Sequence, residues 1–177
     1  MKLNWYINKE NHRSSIPADI LYLGNRWNIK FKKILIVGTL LKYTSIFNEL
    51  NITCWNLEKL KKQSQKPVKS HFDYILCYHS LSELYFQECK KLLSFLSNIL
   101  TQDGEIYLTL LSKDSYFFKN NIKTDNNLYV NQKELESLLT PFAIKNIEYT
   151  KRIKQDNKIN PHFYILATKL SSNNYHH

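Results

Sequence analysis

Three kinds of hydrophobic pattern alternate along this chain. The first is the short, unbroken apolar run. "KKILIVG" (32–38) is one, β-rich and closed by a glycine, the pattern of a strand buried on both faces. "NITCWNLE" (51–58), "FDYILCYHS" (72–80) and "EIYLTLL" (105–111) read the same way. The second is helical spacing. "LLKYTSIFNEL" follows the first run, and "LSELYFQECKKLLSFLSNIL" (81–100) places Leu84, Leu92, Leu93, Phe95, Leu96, Ile99 and Leu100 along one side. "NQKELESLLTPF" (131–142) is a further helix, with Asn131 as its cap and Glu134 placed for a capping box. The third is alternation: "AIKNIEYTKRI" and "HFYILATKL" have the period of half-buried strands, with "KQDNKINP" as the hairpin loop between them.

The polar stretches punctuate these elements. "SSIPADILYLGN" reads as a short helix with a serine cap, Pro17 in the first turn and Gly24 at the exit. "EKLKKQSQKPVKSH" (58–71) is polar and basic and ends in a loop, "TQDG" is a turn, and "SKDSYFFKNNIKTDNN" is a long polar loop with aromatics. No repeat or linker divides the chain, so the expectation is one α/β domain over 1–177, with 1–31 as an N-terminal cap segment and 176–177 as a possible tag remnant. Its sheet should be mostly parallel and Rossmann-like, closed by an antiparallel hairpin at one edge.

Composition narrows the class. At 43% hydrophobic and 14% aromatic residues the chain can bury a core. No apolar run approaches the roughly 18 residues of a membrane span, and the N-terminus lacks the apolar core of a signal peptide. The expectation is a soluble, cytoplasmic protein without membrane contact. Cys54, Cys77 and Cys89 lie in apolar or helical stretches without CxxC spacing, which reads as reduced thiols and no metal site. The formal charge of +10 has two readings. It suits an acidic partner such as RNA, or it reflects a chain rich in Lys, Asn and Ile whose lysines fill solvent positions. The basic stretches at 30–33, 58–69 and 151–158 lack interleaved aromatics and read as solvated faces.

"FDYILCYHSLSELYFQECKKLLSFLSNILTQDGEIYLTLLSKDSYFF" resembles the fourth strand, helix, glycine turn and fifth strand of the class I S-adenosylmethionine-dependent methyltransferases, nearest the small-molecule and tellurite-resistance type. "YVNQKELESLLTPFAIKNIEY" and "PHFYILATK" resemble that family's late helix and hairpin. The resemblance runs from about residue 32 to residue 169. It implies S-adenosylmethionine as cofactor and a small molecule or RNA as methyl acceptor.

The cofactor positions depart from the family pattern. Where its first turn resembles GxGxG, only Gly38 remains, with Leu40 and Lys42 at the other two glycine positions. A leucine there crowds the methionyl group, and a lysine sets its ammonium near the sulfonium. Asn56 stands where the resemblance implies an acidic residue for the ribose hydroxyls. Glu58 is a substitute if the strand ends late, or else a helix-start glutamate. Only about fourteen positions carry the chain from Glu58 to Phe72, where the family fits a helix, a third strand and an acidic turn. One strand is therefore expected to be reduced or missing.

The lip of the resembling active site falls at Cys77, Tyr78, His79 and Ser80, with Glu83 beyond. His79 is the candidate to orient a substrate or accept a proton. Tyr78 reads as packing or pocket, and Glu83 as a helix-start carboxylate or a site residue. Two functions follow: a methyltransferase with an unusual cofactor loop, or a non-catalytic pseudo-methyltransferase that serves as a binding or assembly module for a partner protein.

Overall fold

The computed structural model describes residues 32–38, 51–67, 71–120, 128–153 and 159–170. Strands β1 (Lys33–Val37), β2 (Asn51–Trp55), β3 (Phe72–Cys77), β4 (Leu100–Ser112), β5 (Tyr129–Val130), β6 (Phe142–Ile153) and β7 (Ile159–Lys169) form one sheet. The order is β2-β1-β3-β4-β7-β6, with the short β5 beside the end of β4. β1 to β5 pair in parallel, and β7 runs antiparallel to both β4 and β6. The mostly parallel sheet and its closing antiparallel hairpin are as the hydrophobic pattern predicts.

Period-2 geometry sorts each strand's side chains between two faces. Leu35 and Val37 join one buried cluster, and Ile34 and Ile36 the other. Helices α1 (Leu57–Gln63), α2 (Phe86–Ile99) and α4 (Gln132–Leu138) all contribute to the first cluster, through Leu60, the Leu92–Leu93–Leu96–Ile99 stripe, and Leu135 with Leu138. The second cluster consists of strand side chains and Tyr78: Ile34, Ile36, Leu76, Tyr107, Tyr164 and Leu166 surround it. Asp73 holds the sheet from its N-terminal side, accepting the Lys33 N–H at 2.9 Å on Oδ2.

Four boundaries differ from the sequence reading. The second strand, read over 51–58, stops at Trp55 because Asn56 caps α1, and the polar stretch after it is helix over 57–63. The 81–100 helix is divided: a 3-10 turn (Leu81–Glu83) comes first, Leu84 is extended, and α2 starts only at Phe86. "TQDG" belongs to β4 rather than to a separate turn. Leu100 already pairs with Phe72, and the register then jumps so that Tyr74 meets Glu105. The extra residues bulge opposite Asp73, and a Cβ at Gly104 would lie 2.9 Å from the Asp73 carbonyl oxygen, so only glycine fits there. Finally, the polar loop after β4 contains a short helix, α3 (Tyr116–Lys119), and β5 follows it.

Among the described residues between Asn56 and Phe72 there is helix and turn but no strand, so β2 is an edge of the sheet. The expected helices in 14–25 and 40–50 lie outside the described residues, as does the N-terminal cap segment.

Candidate functional site

Parallel strands deliver their C-terminal ends to one edge. Val37, Trp55, Cys77 and Leu108 are in register across β2, β1, β3 and β4. One residue further along each chain stand Gly38, Asn56, Tyr78 and Thr109, and these form the lip of the sheet.

Gly38 has φ +98°, in the left-handed region that side chains rarely adopt. Its N–H donates to the Trp55 carbonyl at 2.9 Å. The bare side of this glycine is not open. A Cβ built there would come 2.2 Å from Ser80 Cβ and 3.1 Å from Ser80 Oγ. The glycine is thus required by close packing within the protein. Ser80 is buried, and its hydroxyl has no hydrogen-bond partner among the described residues.

Asn56 is engaged elsewhere. Its Oδ1 accepts the Lys59 N–H at 2.8 Å, the N-cap bond of α1. Glu58 therefore lies in the first turn of that helix and not on an extended strand beside Asn56. The helix starts at once because the cap residue comes directly after Trp55, and a strand cannot continue through it.

His79 takes φ 54°, and it is the one described non-glycine residue with positive φ. Two hydrogen bonds and two ring contacts hold this conformation. Its N–H donates to Thr109 Oγ1 at 2.7 Å, and its carbonyl accepts from Ser82 Oγ at 2.7 Å. Its ring meets Tyr78 edge-on at 4.3 Å and His162 edge-on at 4.7 Å. His162 comes from β7, opposite Leu111, and is 5% exposed. A surface position is the simpler expectation for a histidine next to a proline, but β7 begins earlier than its alternating pattern indicates and carries His162 inside. In the sequence His162 reads as a surface histidine before the last strand, with the substrate mouth as its other reading, and Thr109 does not stand out as a site residue. Only the antiparallel pairing of β7 with β4 brings His162 to His79.

The other candidates scatter. Tyr78 is buried in the second core cluster. Cys77 belongs to the first cluster, facing away from the second, and burial pushes its thiol far above the ordinary range, with Cys89 adding to the effect. Glu83 is exposed at the end of the 3-10 turn, and the carboxylate in the first turn of α2 is Glu88 instead. Leu40 and Lys42 lie outside the described residues. Among the described residues no three His, Cys, Asp or Glu side chains gather as metal ligands.

A second concave feature lies beyond the 3-10 turn. It is an open pocket of about 320 Å³ between the start of α2, the end of β4, α3, β5 and α4.

No protein-family model and no curated protein matches the sequence. Solved structures do match in shape. TehB from Haemophilus influenzae superposes with a TM-score of 0.64 at 13% identity, over 93% of this chain and 66% of that one. The chain has the class I methyltransferase fold. The magnesium protoporphyrin IX methyltransferase ChlM of Synechocystis PCC 6803, with bound S-adenosylhomocysteine, gives 0.59 at 11% identity, over 86% of this chain and 81% of that one. The N-methyltransferase NodS of Bradyrhizobium japonicum WM9 gives 0.57 at 8% identity, over 79% of each chain.

Within that fold, the described residues do not fit S-adenosylmethionine in the way the family pattern implies. The side of Gly38 that the pattern leaves bare holds Ser80, the acceptor of Asn56 caps a helix, and no third strand flanks β2.

Proposed function

We propose that this chain is a non-catalytic protein built on the class I methyltransferase fold, serving as a binding or assembly module. Asn56 carries this reading. At the ribose position of the fold, its carboxamide oxygen already accepts the N-cap bond of α1, and freeing it would leave a helix end without its cap. Ser80 against Gly38, and the lack of a strand beyond β2 among the described residues, support the same conclusion. Titration calorimetry with S-adenosylmethionine and S-adenosylhomocysteine tests it. Affinity weaker than about 1 mM, or about 4 kcal/mol of binding free energy, is expected. Micromolar binding by the unmodified chain overturns the proposal.

The second reading is methyl transfer to a small molecule, and the lip at His79 favours it. Strained backbone of this kind gathers at functional sites, and the part-exposed His79, held against the buried His162, would give a substrate a polar contact there. Under this reading, His79→Gln lowers turnover of a methyl acceptor while cofactor affinity stays as in the unmodified chain. Under the first reading there is no turnover to lower.

A further inference from the structure

The open pocket beyond the 3-10 turn is lined by apolar and aromatic side chains and by one charged pair. Leu84, Tyr85, Phe86, Phe118, Leu128 and Tyr129 make the walls. Tyr85 is 66% exposed and Phe118 42% exposed, an unusual display of large rings on one rim. Phe118 and Tyr129 lie 5.4 Å apart at 47°, so their rings bound the space at an angle.

The polar groups are Lys113 and Glu134. Lys113 Nζ is 2.6 Å from Glu134 Oε1 and 5.6 Å from the centre of the Phe118 ring. The other oxygen of Glu134 accepts the Asn131 N–H at 2.9 Å, which locks the carboxylate to the start of α4. Burial pushes the Glu134 carboxyl up, but the bonds from Lys113 and the Asn131 backbone outweigh it and hold the group below the usual carboxylate range. The frame is fixed as well. The Lys113 N–H donates to the Val130 carbonyl at 3.0 Å, and the Leu128 N–H donates to the Ser82 carbonyl.

This pair sets the ligand class. Lys113 and Glu134 cancel in charge, so the pocket does not call for an ion. An ammonium has three donors, and a carboxylate has more acceptor positions than the two bonds use. Side by side they offer a donor next to an acceptor, facing aromatic walls that favour a flat ring. We infer that this pocket binds a neutral, planar heteroaromatic ring that carries a hydrogen-bond acceptor next to a donor, as an amino-substituted nitrogen heterocycle does. The ring nitrogen accepts a hydrogen bond from the Lys113 ammonium, the amino group donates to Glu134, and the ring packs on Phe118 and Tyr85. None of the residues that line the site is one of the cofactor positions of the fold.

The test uses 2-aminopurine, a neutral fluorescent bicycle with an amino group next to a ring nitrogen, titrated with the full chain. Stacking on the rings should quench its fluorescence saturably. Phe118→Ala and Tyr85→Ala, both at exposed positions, should weaken binding about ten-fold each without changing the melting temperature. Lys113→Met should weaken it as much, and purine, which lacks the amino donor, should bind more weakly than 2-aminopurine. Absence of saturable quenching up to millimolar protein overturns the inference. So does equal affinity in the Phe118 and Tyr85 variants, which places the probe elsewhere on the fold. Tighter binding of 1-naphthoate than of 2-aminopurine overturns the ligand class, because it makes Lys113 an anion receptor.

Discussion

At Gly38 two constraints meet in one residue. Its φ of +98° costs any side chain about 1–2 kcal/mol, and a Cβ there collides with Ser80. Gly38→Ala should therefore lose about 2–5 kcal/mol in urea denaturation, the sum of backbone strain and overpacking. Adding Ser80→Gly should recover the packing part and leave the backbone part. Ser80→Ala alone separates the hydroxyl from the methylene. It keeps the contact with Gly38 and removes a buried hydroxyl with no partner among the described residues, so stability should rise by about 1 kcal/mol. A loss instead would mean that the hydroxyl is satisfied in solution. Cysteine chemistry is set at the same scale. Burial raises the thiols of Cys77 and Cys89 above the ordinary thiol range, the latter to about 12. The folded chain therefore holds these protons where the unfolded chain releases them. By linkage, their contribution to stability is fully present below pH 9 and is lost as pH rises from about 9 to 12. Urea midpoints should fall through that window, and Cys77→Ala with Cys89→Ala should flatten the fall. The half-buried Cys54 should react with a thiol reagent well before either.

At the level of elements, the same property that made most of the fold legible hid the site. Runs such as "KILIV" and the α2 stripe report burial, and burial is what sets sheet and helix positions. The capping box at Asn131 and Glu134 was legible too, because its chemistry is local: Asn131 Oδ1 accepts the Glu134 N–H at 2.9 Å, and Glu134 answers in return. Asn56 follows the same logic, but its position after an apolar run reads equally well as the last residue of a strand. The meeting of His79 with His162, 83 positions apart, depends on strand register, which no local pattern encodes. Lys113, Phe118 and Glu134 likewise read as a polar loop and a helix start until β5 pairs with β4. Asn56→Ala removes the cap of α1 and should cost about 0.5–2 kcal/mol in thermal unfolding, with Asn56→Asp close to the unmodified chain. If Asn56→Asp instead gains S-adenosylmethionine binding while keeping stability, the carboxylate serves the ribose and the cap together, and the proposed loss of the cofactor site fails.

For the molecule as a whole, the charge of +10 raises the question of a nucleic-acid partner, and the described lysines bear on part of it. Five ion pairs among the described residues engage them in different parts of the fold. Lys32 meets Asp73 at the start of β1, Lys61 of α1 meets Glu88 of α2, and Lys113 meets Glu134 at the pocket. Lys119 meets Asp114 next to α3, and Lys145 of β6 meets Glu105 of β4. Among the described residues these paired lysines are scattered and do not line a groove that follows a phosphate backbone. The exposed aromatics Tyr85 and Phe118 rim one small pocket and do not form the row of rings that stacks successive bases. A net positive charge still attracts polyanions, because releasing counterions from a nucleic acid is favourable whatever cation displaces them. The expected behaviour is weak, sequence-independent binding of single-stranded RNA at about 20 mM salt that disappears by about 200 mM, since log affinity falls in proportion to the number of phosphates neutralised. Fluorescence anisotropy with unrelated RNA sequences over a salt series reads both properties at once. Binding that persists above about 300 mM salt, where the Debye length is shorter than about 8 Å, would require direct contacts that a scattered set of lysines does not supply. A preference of about ten-fold or more between sequences would do the same, and either result would make RNA the partner of this fold.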